Sequence, residues 1–245
     1  MGTIKTAAGC LMPCMRVGGV LRETWGLDLA TLRWEAMPAF LRTRREHACC
    51  AVRGALVVLG GGAIPGGGSS NHSLPPTSRV EMLPEVAGAF VELPQLSCGA
   101  IYGATAVAVD EIDSALGQVL LLGGHDQNNI CTSSVRLVDL ATGVCTPQAA
   151  LLHARSHFAA AGLSDGRVVC TGGHGILSRV DMWGPPPQGA HDAAWTWSQL
   201  PPMSVGRRGC RGCVLSDGRF TVIGGRSNSG ITSSCEVLSF GDDGD

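Results

Sequence analysis

Five times along the chain an apolar run ends in a pair of glycines. The segments are MRVGG (Gly18, Gly19), VVLGG (Gly60, Gly61), LLLGG (Gly123, Gly124), VCTGG (Gly172, Gly173) and TVIGG (Gly224, Gly225). Successive first glycines lie 42, 63, 49 and 52 residues apart. A fixed internal period means stacked units that bury their apolar faces on one another. This spacing centres near the roughly 40–50 residues of a propeller blade rather than the about 34 of a common helical solenoid unit.

The flanks repeat as well. AAAGLSDGRVVCTGG (Ala159 to Gly173) and RGCVLSDGRFTVIGG (Arg211 to Gly225) align without a gap. Each reads as a strand, a Ser-Asp-Gly turn and a second strand, because Asp and Gly tolerate the positive φ of a tight hairpin. ACCAVRGALVVLGGG (Ala48 to Gly62) shortens that turn and ATAVAVDEIDSALGQVLLLGG (Ala104 to Gly124) lengthens it. A variable loop follows each glycine pair, then a third strand with rough period-two alternation: TWGLDL, SRVEML, SVRLVDL, SRVDMW and SCEVLSF. A fourth segment, RWEAMP or TWSQLPPM, and more weakly FVELP, often comes next, and no stretch carries a helical period with caps. The expected fold is all-β: one β-propeller domain over 1–245 with about five four-stranded blades, approximately 1–38, 39–95, 96–147, 148–203 and 204–245. The last repeat stops after its third strand, so the ring is expected to be incomplete or to use the N-terminal segment to fill the gap.

These features together resemble the kelch-repeat family: double glycines after an aliphatic strand, an arginine upstream, and a tryptophan before a Met-Pro or Leu-Pro turn. LRTRREHACCAVRGALVVLGGG followed by SRVEML is one instance, and ARSHFAAAGLSDGRVVCTGG followed by SRVDMW is another. The resemblance covers nearly the whole chain. It departs at Met82 and Val138, where the family usually has an aromatic, and in having Tyr102 as its single tyrosine. It implies a protein–protein interaction module. Some kelch proteins bind the cytoskeleton, and many serve as substrate receptors of ubiquitin ligases, joined to BTB or F-box domains that do not occur in this sequence. The alternative class is a propeller enzyme or small-ligand protein using the central cavity. Copper oxidases on kelch-type blades need two tyrosines at the metal, which argues against that activity.

LVVLGGGAIPGGGSS also invites a nucleotide-site reading, and the letters reject it. A Gly-x-Gly-x-x-Gly fingerprint started at Gly60 places Pro65 in the third glycine position, and one started at Gly66 places Asn71 there. Lys5 is the only lysine, so no P-loop can form, and no helix follows to offer its N-terminus to a phosphate. The glycine pairs are expected to mark bends where neighbouring blades pack too closely for a Cβ. Gly66 to Gly68 are read as a slack loop.

The net charge of −2 argues against a general nucleic-acid binder. No secretory leader or membrane-length apolar run is seen. The expected setting is the cytoplasm or the nucleus, with most of the eleven cysteines reduced and acting as small buried hydrophobes. The Asn71-His72-Ser73 sequon then carries no meaning. Neither the CxxC of Cys210 and Cys213 nor the CxxxC of Cys10 and Cys14 has the second pair a zinc site wants, and no metal or cofactor is expected.

In a propeller the start of the first strand and the residues after Gly-Gly share one face. That places Arg44, Arg45, His47, Arg155, His157, Arg207 and Arg208 with His125, Asp126, His174, Arg226 and Asn228. We expect this cluster to bind another protein, an acidic peptide or carboxylate being the best match. The competing reading of any single arginine is structural, pairing with carboxylates.

Overall fold

The computed structural model describes residues 22–239 except 29, 65–74, 87, 110–113, 176 and 186–194. Among these residues there is no helix, and antiparallel sheets follow one another in an open, propeller-like arc. Blade 1 pairs Ala48–Val52, Ala55–Leu59, Val80–Leu83 and Val91–Leu93 in that order. Blade 2 pairs Thr105–Val109, Gln118–Leu122, Val135–Asp139 and Cys145–Gln148. Blade 3 pairs Ala159–Gly162, Val168–Thr171, Val180–Gly184 and Thr196–Leu200. Blade 4 has three strands, Arg211–Val214, Phe220–Ile223 and Cys235–Leu238. Ahead of blade 1 lies a two-stranded sheet, Thr24–Asp28 with Arg33–Met37. Among the described residues there are thus four blades, the last with three strands, plus this pair, and the ring is not closed. The pair corresponds to the third and fourth strands of the first repeat. Gly18, Gly19, Cys10, Cys14, the Gly66–Gly68 loop, the sequon and the N-terminal segment expected to fill the gap lie outside the described residues.

The inner strands of consecutive blades pack on one another around the axis, and among the described residues no comparable packing joins blade 4 to blade 1. The second strands of blades 1 to 3 are near-continuous apolar runs because both of their faces are buried. Leu56 and Val58 join a cluster with Phe40 and Phe90, while Val57 and Leu59 join Val119 and Leu121 between blades 1 and 2. Leu120 and Leu122 meet Phe158, Val168 and Cys170 in the next seam, and Val169 meets Phe220 and Val222 in the one after. The core is thus a series of layers between blades.

The glycine pairs sit at these seams. All eight described members have positive φ. A Cβ on Gly60, Gly123 or Gly172 would fall inside van der Waals contact with a backbone carbonyl of the next blade, that of Ile101, Arg155 or Arg207. The second glycine of each pair donates its N–H to the same carbonyl: Gly61 to Ile101 at 2.8 Å, Gly124 to Arg155 at 2.8 Å and Gly173 to Arg207 at 3.0 Å. The two Ser-Asp-Gly turns are fastened alike. Asp165 accepts from the backbone N–H and the Nε of Arg167, and Asp217 does the same for Arg219.

Candidate functional site

One face of the arc is built from four equivalent tips, each just ahead of an inner strand. The residues there are Glu46, Gly103, His157 and Gly209, and all four adopt left-handed backbone with φ of 55°, 63°, 53° and 62°. They are stitched in a row. Gly103 N–H donates to Glu46 O at 2.7 Å, His157 N–H to Gly103 O at 2.8 Å and Gly209 N–H to His157 O at 2.6 Å. Beside each tip, the residue one position earlier pairs with the residue after Gly-Gly. Arg45 opposes Gly62, Tyr102 opposes His125 and Arg208 bridges Arg226, while His174 N–H donates to Ser156 O. The shared face expected from the repeat is therefore formed by explicit pairings.

The arginines divide into two groups. Arg44, Arg155 and Arg207 have side chains that are fully buried. Arg44 Nη2 meets Glu81 at 2.7 Å, Arg207 Nη2 meets Glu236 at 2.7 Å, and Arg155 pairs with Asp181. They bolt the segment ahead of a blade's first strand to its third strand, and a partner cannot reach them. The expectation that these three bind a partner is corrected to the structural reading. Arg45 and Arg208 are half-buried, while Arg226, Asn228 and His174 are exposed on the mouth. His47 lies beneath it, edge-on to Phe40 at 5.3 Å, with its Nδ1 enclosed and unpartnered. Burial, followed by Arg44 and Arg211, pulls its imidazole down to about 3.

The side chains that converge come from the first three blades. His157 Nε2 lies 3.6 Å from Glu46 Oε2, its Nδ1 lies 3.2 Å from Ser156 Oγ, and its ring sits over Gly103. His125 stacks on Tyr102 with centroids 5.0 Å apart, and its centroid is 6.1 Å from that of His157. The Tyr102 hydroxyl donates to Asn129 Oδ1. Asp126 accepts backbone N–H groups from Asn128 and Ile130 at 2.9 Å each, which fixes the turn carrying Asn129. A depression of about 470 Å³ opens beside these groups, lined by Arg45, Glu46, Tyr102, Gln127, Asn129 and Pro76 among others. The His157 imidazole beside it, against the effect of burial, holds Glu46 below the usual carboxylate range. Burial, then His157 and His174, lower His125. The site therefore offers a cation, a carboxylate–imidazole pair, carboxamides and a flat aromatic platform, a mixture suited to reading a polar chain laid across it.

Glu46, Tyr102 and Asn129 were not singled out from the sequence. Two signals pointed to them. Glu46 and His157 stand where the other two repeats have glycine, and Tyr102 is the only tyrosine. Cys210 is buried in the seam between blades 3 and 4, as its place in the repeat implied.

A scan against protein-family models found no match for this chain, and a search of curated proteins found none either. The propeller-like fold rests on the blades themselves.

Proposed function

We propose that the chain is a kelch-type interaction scaffold that binds another protein through the mouth formed by Glu46, Tyr102, His125, Asn129 and His157. One observation carries this reading. Of the five non-glycine residues with positive φ among the described residues, Glu46, Asn129 and His157 lie at this mouth while Leu32 and Arg53 sit in strand-connecting turns, and at Glu46 and His157 the left-handed backbone costs about 1–2 kcal/mol. The surface cations Arg45, Arg208 and Arg226 favour an acidic segment in the partner. A place as substrate receptor in a ubiquitin ligase, in the cytoplasm or nucleus, fits the family resemblance. The Glu46–His157 pair favours a second reading, a carboxylate-oriented imidazole acting as a base on a small ligand.

The test is affinity purification with mass spectrometry on the wild type and on an Arg45→Ala, Tyr102→Ala, Arg208→Ala variant. These positions reach the surface, whereas alanine at Arg155 or Arg207 would unpair a buried carboxylate and test folding instead. A captured protein that binds the purified wild type, and loses at least tenfold in affinity for a variant with an unchanged melting temperature, supports the scaffold. Equal capture by both sinks it.

A further inference from the structure

Blade 2 brings two cysteines together at its outer rim. Cys98 lies in the loop that leads to Tyr102, and Cys145 opens the outermost strand, Cys145–Gln148. The residue before Cys98 laces the two segments. Ser97 N–H donates to Gly143 O at 2.9 Å, and Cys145 N–H donates to Ser97 Oγ at 2.9 Å. Gly143, at φ +74°, packs directly on Gln95, so the loop and the strand start are held tightly. Both thiols pack against the cluster between blades 1 and 2, both are partly exposed, and they lie in hydrogen-bond contact with each other.

We propose that Cys98 and Cys145 are a redox-active dithiol that closes to a disulfide with hydrogen peroxide, tying the loop at the root of the mouth to the outer strand of blade 2. The roles are unequal. Contact with Cys98 lowers the Cys145 thiol against the opposing effect of burial, contact with Cys145 and burial raise Cys98, and the Cys145 sulfur also lies 3.6 Å from Gly143 O. Cys145, the more acidic of the two, is the attacking group in its thiolate form. Its sulfur bonds to one peroxide oxygen, the O–O bond breaks, and hydroxide leaves, giving a sulfenic acid at Cys145. The Cys98 sulfur then attacks the Cys145 sulfur. The S–O bond breaks, and the departing hydroxide takes the Cys98 proton as water. Two thiols give up two electrons and two protons, and peroxide is reduced to two waters. The other cysteines with strongly shifted thiols, Cys50 and Cys170, are pushed up by burial and stay inert.

The experiment treats the intact, folded chain with hydrogen peroxide, alkylates the remaining thiols in denaturant and digests with trypsin. Cleavage after Arg79, Arg136 and Arg155 puts Cys98 and Cys145 on separate peptides. The expected product is those two peptides joined, with fragment ions assigning the bond to Cys98 rather than to Cys131 on the same peptide, and with exposed Cys235 still alkylated. In Cys98→Ala, Cys145 is expected to stop at an acid trapped by dimedone. The midpoint of its alkylation against pH should rise toward the ordinary 9 once Cys98 is gone. Recovery of Cys98 alkylated while Cys145 is over-oxidised, or an unmoved alkylation midpoint in Cys98→Ala, overturns the proposal. Neither readout depends on what the mouth binds.

Discussion

At the scale of single residues, the glycine pairs separate two costs that usually come together. Gly60 and Gly224 share their place in the repeat and nearly their φ, +62° and +60°. A Cβ on Gly60 would be driven into the Ile101 carbonyl, whereas on Gly224 the nearest atom among the described residues is Thr232 O at 3.5 Å. Gly224→Ala should therefore cost only the left-handed strain, about 1–2 kcal/mol. Gly60→Ala should add roughly 1–3 kcal/mol for overpacking the seam. Urea denaturation of the two variants checks this, and equal losses would mean that the seam can yield. The role of the pairs as a close-packed bend was legible in the sequence, because the same two letters recur after every second strand. The pairing of Glu46 with His157 was not. They are 111 positions apart, and only the superposition of three tips around an axis brings them into contact.

At the scale of the blade, the buried arginine is a recurring bolt whose fit depends on one methylene. In blade 1, Arg44 Nη1 reaches the carbonyls of Gly60 at 2.7 Å and Arg79 at 3.1 Å while Nη2 holds Glu81. In blade 4, Arg207 Nη1 reaches Gly224 O and Ser234 O while Nη2 holds Glu236. In blade 3 the acid is the shorter Asp181. Arg155 meets it alone, and Arg155 Nε and Nη1 and Asp181 Oδ1 are buried without partners. Burial raises Asp181 even though Arg155 draws it down. Lengthening the acid should let the guanidinium settle onto the carbonyls of Gly172 and Arg179, which stand where Arg44 and Arg207 find theirs. Asp181→Glu is expected to stabilise by about 1 kcal/mol, the usual worth of a recovered hydrogen bond, or roughly 2–4 °C in melting temperature. A lower melting temperature would show that the pocket cannot take the extra carbon. Blade 2 has lost both partners at once, with Ile101 in the arginine position and Arg136 in the acid position. That paired exchange was visible in the sequence and is the clearest sign there that these arginines are internal. Reading them as a surface cluster followed their position along the chain correctly and missed their direction, which depends on where the carboxylate of the third strand lies.

At the scale of the whole molecule, acid should act through the imidazoles first. His47 and His125 are both held below the ordinary 6.5, chiefly by burial. A lowered histidine binds its proton more readily in the unfolded chain, so stability rises with pH across the window between the two values. Stability should fall as pH drops below about 6.5 and continue falling toward 3 as His47 is called on to charge. Carboxylates held low, such as Glu46, add their own loss further down. Denaturation midpoints against pH for wild type and His47→Gln check this, and a variant curve with the same slope above the carboxylate range would remove His47 as the cause. The layered core was legible from the apolar second strands and their period. Whether the ring closes was not, because the partial sheets at either end carry the same letters as the complete ones.

The exposed ends follow from the same layering. Trp197 of blade 3 is nearly buried and donates to Ala149 of blade 2, while Trp34, its counterpart in the two-stranded sheet, is 53% exposed. Ile223 on the outer side of blade 4 is 40% exposed. Every seam here is made by glycines of an earlier blade and a carbonyl of a later one. On a ribosome the donor half of each seam is therefore finished before its acceptor exists. Each blade in its turn waits with its glycine pair unmet, and among the described residues Gly224 of blade 4 meets no carbonyl of a later blade. Assembly by this logic runs in one direction, and the interval between one blade and the next is when the growing chain is most open to capture by a chaperone or by another copy of itself.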